Sequence, residues 1–204
     1  MDAHRRFPEK QTILKPEFYQ RPDVVQIARE LLGKGLFTCI NGELTGGLIV
    51  ETEAYAGVND RASHTFNNRR TKRTEAMYGP GGIAYVYMCY GIHCLLNAVT
   101  NVEGVAQAVL IRALMPTHGI ETMLQRRKKR KLDETLAGGP GALCQALGIT
   151  MAQYGTSLTG PDVWICDVGT KGQDIAATPR IGVDYAGDDA KLPYRFIIIP
   201  NSHI

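Results

Sequence analysis

The chain has 204 residues, 44% of them hydrophobic and 21% charged, with a formal net charge of +3. That length fits one domain able to bury most of its unfolded surface, and the composition is ordinary for a globular protein. The net charge is too small to argue for a nucleic-acid partner by amount, so any such argument rests on where the basic residues sit.

Residues 1–13 read as an extended N-terminal arm. The basic residues at its start have no apolar segment behind them, so no secretory signal is expected. Pro22 and the run from Asp23 to Gly33 predict a helix. Pro stands near the first turn, apolar residues recur at spacings of three and four, and Gly33 lies just past the end. Residues 36–40, then Asn41-Gly42, then residues 44–55 predict a β-hairpin, because Asn-Gly supplies the positive φ angles of a tight turn. Strands are expected over 83–88 and 94–99, separated by a break at Tyr90-Gly91, and over 105–114, ended by Pro116. Residues 118–131 have helical character and finish in the basic run Arg126 to Lys131, read as a solvated helix end. Gly138-Gly139-Pro140 precedes a short helix over 142–147. Residues 155–178 read as loop with one strand around 163–166, and 195–199 closes the chain as a strand. Helices and strands mingle without a regular βαβ alternation. The expected fold is therefore α+β: one compact mixed domain over 1–204, with a central, largely antiparallel curved sheet and peripheral helices.

The five cysteines include no Cys-x-x-Cys pair, which argues against both a cysteine zinc site and a disulfide framework. Buried reduced thiols are expected instead. No apolar run approaches the ~18 residues needed to span a membrane, and a soluble cytoplasmic protein is expected.

The chemistry concentrates between positions 51 and 90, which hold five of the nine tyrosines: Tyr55, Tyr78, Tyr85, Tyr87 and Tyr90. In an extended segment Glu51, Glu53 and Tyr55 share one face. A carboxylate beside an aromatic wall, at the end of the apolar run Leu48-Ile49-Val50, is a candidate general base. A solvated strand end is the commoner fate of a Glu-x-Glu, and periodicity does not choose between the two glutamates. Tyr85 and Tyr87 also share a face, a spacing that more often marks packing than a site. Tyr90, at the break before Gly91, is harder to place in a core and could act as a wedge. His64 has no partner at metal-ligand spacing, so no metal is expected. The basic residues Arg69, Arg70, Lys72 and Arg73 could contact phosphate, or could form a solvated loop.

In order and interval, Glu51-Thr52-Glu53-Ala54-Tyr55, His64, Tyr85 through Gly91, Asn97 and Val109 through Leu114 resemble the alkyladenine (3-methyladenine) DNA glycosylase family. The likeness continues through Gly139-Pro140, Leu143 through Leu147, Arg180 through Val183, Ala186-Gly187, Pro193 and Arg195-Phe196. It covers nearly the whole chain from about position 14, and a bacterial member is expected.

The resemblance implies a monofunctional, cofactor-free glycosylase of base excision repair, acting on double-stranded DNA that contains alkylated or deaminated purines. It implies a monomer with no obligate protein partner. By the same resemblance Glu53 is the general base that activates water, which Arg112 and a backbone carbonyl near Ile181 help to hold. Tyr55, His64 and Tyr87 are the walls that contact the extruded base, and Asn97 disfavours the amino group of normal guanine. Tyr90 enters the duplex, and Ile92 and His93 sit in the groove. Vertebrate members carry Met-Tyr where this chain has Ile92-His93, and a basic residue that Gly139-Pro140-Gly141-Ala142 lacks, so its groove and phosphate contacts are expected to differ. Two other readings of the same residues are a hydrolase of free nucleosides and a non-catalytic module whose tyrosines stack exposed bases.

Overall fold

A computed structural model describes residues 11–170 and 172–199. The expected arm over 1–13 lies mostly outside the described residues. Its end is strand β1 (Thr12–Ile13), paired with the later strand β7. A short helix, α1 (Pro16–Tyr19), follows and was not foreseen.

The predicted helix is α2 (Val24–Glu30). The Asp23 side chain accepts from the Gln26 N–H as its N-cap, and Gly33 at φ +76° follows. The hairpin forms as expected: β2 (Gly35–Ile40) and β3 (Glu43–Tyr55) meet at Asn41-Gly42, with φ of 56° and 80°. Then come β4 (Ala84–Cys89), β5 (His93–Thr100) and β6 (Gln107–His118). Helices α3 (Ile120–Arg127) and α4 (Pro140–Leu147) precede β7 (Val163–Asp167), β8 (Ile175–Thr178) and β9 (Arg195–Ile198).

The described strands form one antiparallel sheet in the order β1-β7-β2-β3-β6-β5-β4. Past the end of β2, the same edge of β3 takes up β9, which carries β8. The α+β architecture with a curled antiparallel sheet is the one expected.

Several sequence expectations need correction. Pro116 does not end β6; the strand runs on to His118 with Pro116 opposite Gly47. The Leu114 N–H points away from β3, to Ala137 O, and residue 116 faces the same way. Among the described residues no strand pairs there, so the missing proline N–H breaks no ladder bond. Strand β8 lay hidden in the segment read as loop. The basic run is only partly a solvated helix end: Arg126 bonds Thr45 and Ala146 O, and Arg127 bonds Gln145 and Leu136 O, tying α3 to α4. All five cysteines are free, but only Cys144 and Cys166 are fully buried.

The alternation along the central strands divides the sheet into two faces. Thr52 and Ala54, Val86 and Ala84, Leu96 and Ala98, and Val109 and Ile111 face the main core under α2 and α4. Glu53, Tyr55, Tyr85, Asn97, Ala108 and Leu110 point the other way. That second face is covered only in part, by a small cluster around Ala76, Met77 and Tyr78. What remains uncovered is a cavity.

Candidate active site

The pairing register explains why distant residues meet. Glu53 lies opposite Leu110, Leu110 opposite Asn97, and Asn97 opposite Tyr85. Directly paired residues point to the same side, so one row across four strands carries Glu53, Leu110, Asn97 and Tyr85 toward the cavity face. Tyr55 and Tyr87 stand one step along their strands. Register shifts on either side of Glu51 break the regular pairing of β3 with β6. Bulges of this kind re-aim side chains, and here Glu51 and Glu53 reach the same arginine.

Glu53 is fully buried. Its Oε2 accepts from the Tyr55 hydroxyl at 2.8 Å and its Oε1 from the Ile181 N–H at 2.8 Å, with Arg112 Nη1 3.3 Å from Oε1. Arg112 is itself held, donating through Nε to Glu51 Oε1 at 2.8 Å, which also accepts from Arg195 Nε at 2.6 Å. Burial works against the Arg112 charge, but Glu53 and Glu51 more than offset it and raise its pKa. Burial, and then the neighbouring Glu53 carboxylate, push the Tyr55 hydroxyl up, which keeps it a neutral donor.

A cavity of about 510 Å³ lies over this row, within the size range of small-molecule sites. Its walls include Tyr55, His64, Arg73, Tyr87, Asn97 and Arg112, with Tyr90 at the rim. Glu53 contributes no wall; Tyr55, Arg112 and Ile181, which bond to it, do. Tyr85 is core in character, while Tyr87 keeps an open part. The His64 ring stands edge-on to Tyr87, with centroids 4.7 Å apart, and its Nδ1 lies 2.9 Å from the Tyr85 hydroxyl. Burial first, then the Arg73 and Arg69 guanidinium groups, push His64 down to about 4, so it is neutral at pH 7. The Asn97 amide is held in place, donating to Tyr85 O at 3.0 Å.

Tyr90 is 94% exposed at the tip of the β4–β5 hairpin, beside Ile92 at 72%. Its φ is +50°, followed by Gly91 at +73°, and the Ile92 N–H closes the turn onto Cys89 O. The left-handed region is unfavourable for a bulky side chain. His93 is exposed on the β5 side and abuts Gly141, where a Cβ would come within 3.0 Å of it.

The four basic residues separate. All four are exposed; Arg70 is also forked onto Glu75, and Arg73 also lines the cavity. Sequence reasoning missed one central pair. Arg180, buried, donates to both oxygens of buried Asp60 at 2.5 and 2.8 Å, and also to Ala54 O and Asp189 O. The guanidinium lies 4.9 Å from the Tyr55 ring centre. It ties the Glu53 strand, the segment leading to His64 and the Ile181 loop together. No local pattern could reveal a pair so far apart in the chain. Among the described residues, no group of three or more His, Cys, Asp or Glu gathers to hold a metal ion.

A sequence model of methylpurine-DNA glycosylases matches residues 17–202. The chain belongs to that family. As such it is a DNA glycosylase, a hydrolase of the N-glycosidic bond in the repair of alkylated DNA. A relative from Chlamydia felis (strain Fe/C-56) is 46% identical over 91% of this chain and 96% of its own length. One from Alkaliphilus oremlandii (strain OhILAs) is 42% identical, over 94% and 98%. A third, from Bacillus licheniformis, is 45% identical, over 92% and 94%. All three carry the name "Putative 3-methyladenine DNA glycosylase". Among the described residues, no helix is long and apolar enough to cross a membrane.

Proposed function

We propose that this glycosylase excises alkylated or deaminated purines, 3-methyladenine and hypoxanthine among them, by flipping the nucleotide into the cavity and hydrolysing its glycosidic bond with a water activated by Glu53. The carrying observation is the buried Glu53 carboxylate set just behind an aromatic-walled cavity, with an exposed tyrosine at its mouth. A base inside the duplex cannot be reached, so it must leave the stack, at about a few kcal/mol, less for damaged or mispaired bases. Tyr90 would fill the gap, with Ile92 and His93 beside it in the groove. Tyr55, His64 and Tyr87 would bracket the base. A positively charged N-alkylpurine gains roughly 0.5–2 kcal/mol from such rings and is a good leaving group.

Among the described residues, Glu53 Oε2 has a single donor, the Tyr55 hydroxyl, so it retains a lone pair for a water O–H. As the bond breaks, the sugar takes on oxocarbenium character, which a nearby carboxylate stabilises while it accepts the water's proton. Arg112 and the Ile181 N–H would hold Oε1 still, leaving Oε2 to work. Among the described residues, no lysine lines the cavity, in keeping with water as nucleophile and with no strand-cleaving step. Asn97 would crowd the amino group of guanine.

The test is a duplex containing one 3-methyladenine or hypoxanthine, scored for abasic sites after incubation with the protein, as a monomer without added cofactor. Failure to form abasic sites with either lesion would sink the proposal. Release from free nucleosides at a comparable rate would favour a nucleoside hydrolase, and tight binding without release a stacking module.

A further inference from the structure

The cavity mouth carries a second exposed aromatic side chain. Among the described residues Tyr185 is 71% exposed, second only to Tyr90 among the aromatics, and both line the same cavity. A lone exposed apolar residue is ordinary. Here Ile181, 51% exposed and four residues earlier, lines the cavity too, so the 181–185 segment gives the mouth an apolar lip.

The lip is fixed to the rest of the site. Val183 and Ala186, on either side of Tyr185 in the chain, are buried with Ala62 in a small cluster against which Tyr55 packs. The Arg61 N–H donates to Asp189 Oδ2, and the Tyr185 hydroxyl donates to Ala62 O at 3.2 Å. The hydroxyl is thus used within the protein, and the ring is left to meet whatever arrives at the mouth.

Ile181 indicates which part of a substrate that is. Its N–H donates to Glu53 Oε1 while its side chain reaches the surface, so the Glu53 end of the cavity lies close to the lip. Burial raises the Tyr185 pKa, Arg180 opposes the rise, and the Asp60 and Glu53 carboxylates add to it, so the same ring lies within the field of Glu53. A flipped nucleotide must set its C1′ atom beside the water on Glu53, with the base farther in and the sugar still joined to the duplex. The sugar therefore sits at the lip.

We infer that Ile181 and Tyr185 form a seat for the deoxyribose of the flipped nucleotide, with the Tyr185 ring packed on the apolar C–H face of that sugar. The inference rests on the glycosylase reading above. A nucleotide stacked in the duplex does not reach the seat, so the contact forms only after flipping. It favours the flipped state over the stacked one, whatever base the sugar carries. In an undamaged duplex the nucleotides stay stacked, and binding there does not draw on the contact.

The experiment measures equilibrium binding of wild type, Tyr185→Ala and Tyr185→Phe over a range of salt concentrations. One duplex carries a 2′-fluoro hypoxanthine nucleotide, which resists hydrolysis, and the other is the same sequence undamaged. Tyr185→Ala should weaken binding to the lesion duplex about 5–20-fold and leave the undamaged duplex within about twofold. The slope of log Kd against log salt should not change, because an apolar contact releases no counterions. Tyr185→Phe should match wild type on both duplexes, since the ring and not the hydroxyl makes the contact. Equal weakening on both duplexes, a shallower salt slope, no loss in Tyr185→Ala, or a Tyr185→Phe as weak as Tyr185→Ala would each overturn the inference. A wild type that does not prefer the lesion duplex would instead count against the glycosylase reading.

A second measurement does not depend on the stability of Tyr185→Ala. With 4-benzoylphenylalanine in place of Tyr185, light should join the protein to the lesion-bearing strand at the flipped nucleotide or its immediate neighbour. Cross-links to the complementary strand alone, or none, would overturn the assignment.

Discussion

The floor beneath the cavity wall and the tip of the β4–β5 hairpin hold the two side chains proposed to act, Glu53 and Tyr90, in opposite ways. On the floor, Glu53 is fully buried, and each of its oxygens has a donor that is itself fixed: Tyr55 on the same strand, Arg112 clamped by Glu51, Ile181 on the loop tied down by Arg180 and Asp60. At the tip, Tyr90 touches almost nothing and sits in a backbone region that suits glycine better. A group that moves a proton gains from having its position over-determined. A group that must enter another molecule gains from projecting, and its stabilising contacts come only with that partner. Mutations should therefore separate the two regions cleanly, in stability as well as in activity.

The largest expected effect is on the floor. Glu53→Gln should lower single-turnover excision by about 10²–10⁴-fold, while affinity for a lesion duplex stays within a few fold. Comparable losses of rate and affinity would mean that Glu53 shapes the cavity rather than activating water. Next comes Asp60→Ala, which leaves the Arg180 guanidinium buried without its partner. Chemical denaturation should show a loss of about 3–5 kcal/mol, and a loss below 1 kcal/mol would mean that the pair does not brace the loop.

The tip should behave in the reverse way. Tyr90→Gly should reduce excision from duplex DNA about 10–100-fold, because flipping loses its wedge, worth a few kcal/mol at most. The same change should leave stability equal or raise it by about 1 kcal/mol, since glycine relieves the left-handed φ. A destabilised Tyr90→Gly protein would erase the contrast between the regions.

The smallest effect belongs to His64, between the two. Its folded pKa of about 4 lies below the ordinary value of 6.5. Below pH 6.5 the unfolded chain binds a proton that the folded chain refuses, so stability falls as pH drops from 6.5 to 4 and levels off beneath. Discounted for partial exposure, the loss is about 1–2 kcal/mol. His64→Asn should flatten that part of the stability–pH curve, and Arg73→Met should move the imidazole's NMR titration back toward 6.5.

Elements with a local cause were legible. Asn41-Gly42 produced its hairpin because two positive φ angles leave few other choices, and Asp23 with Gly33 bounded α2. Pro116 misled because a proline is harmful only where its N–H is needed, and which edge of β6 stays unpaired is a property of the sheet. Strand β8 has no pattern of its own; β9 makes it a strand.

For the site, the alternation in Glu51-Thr52-Glu53-Ala54-Tyr55 and in Tyr85-Val86-Tyr87 already put Glu53 with Tyr55, and Tyr85 with Tyr87, on one face, since a strand's period of two is set by covalent geometry. The family likeness picked out Glu53, and the buried bonding of that residue supports the same choice. Other assignments had to wait for the fold. Glu51 emerged as the clamp on Arg112 with Arg195 bracing Glu51, Arg180 and Asp60 met across 120 residues of chain, and the Arg73 guanidinium came to lie over the Tyr87 ring.

The sequence by itself determined which residues alternate, where the chain turns and which chemical groups are present. The tertiary structure alone decided which charges are paired, which are buried and which line the cavity. Backbone preferences act over a few residues. Burial and charge pairing depend on whatever the completed sheet brings within a few ångströms.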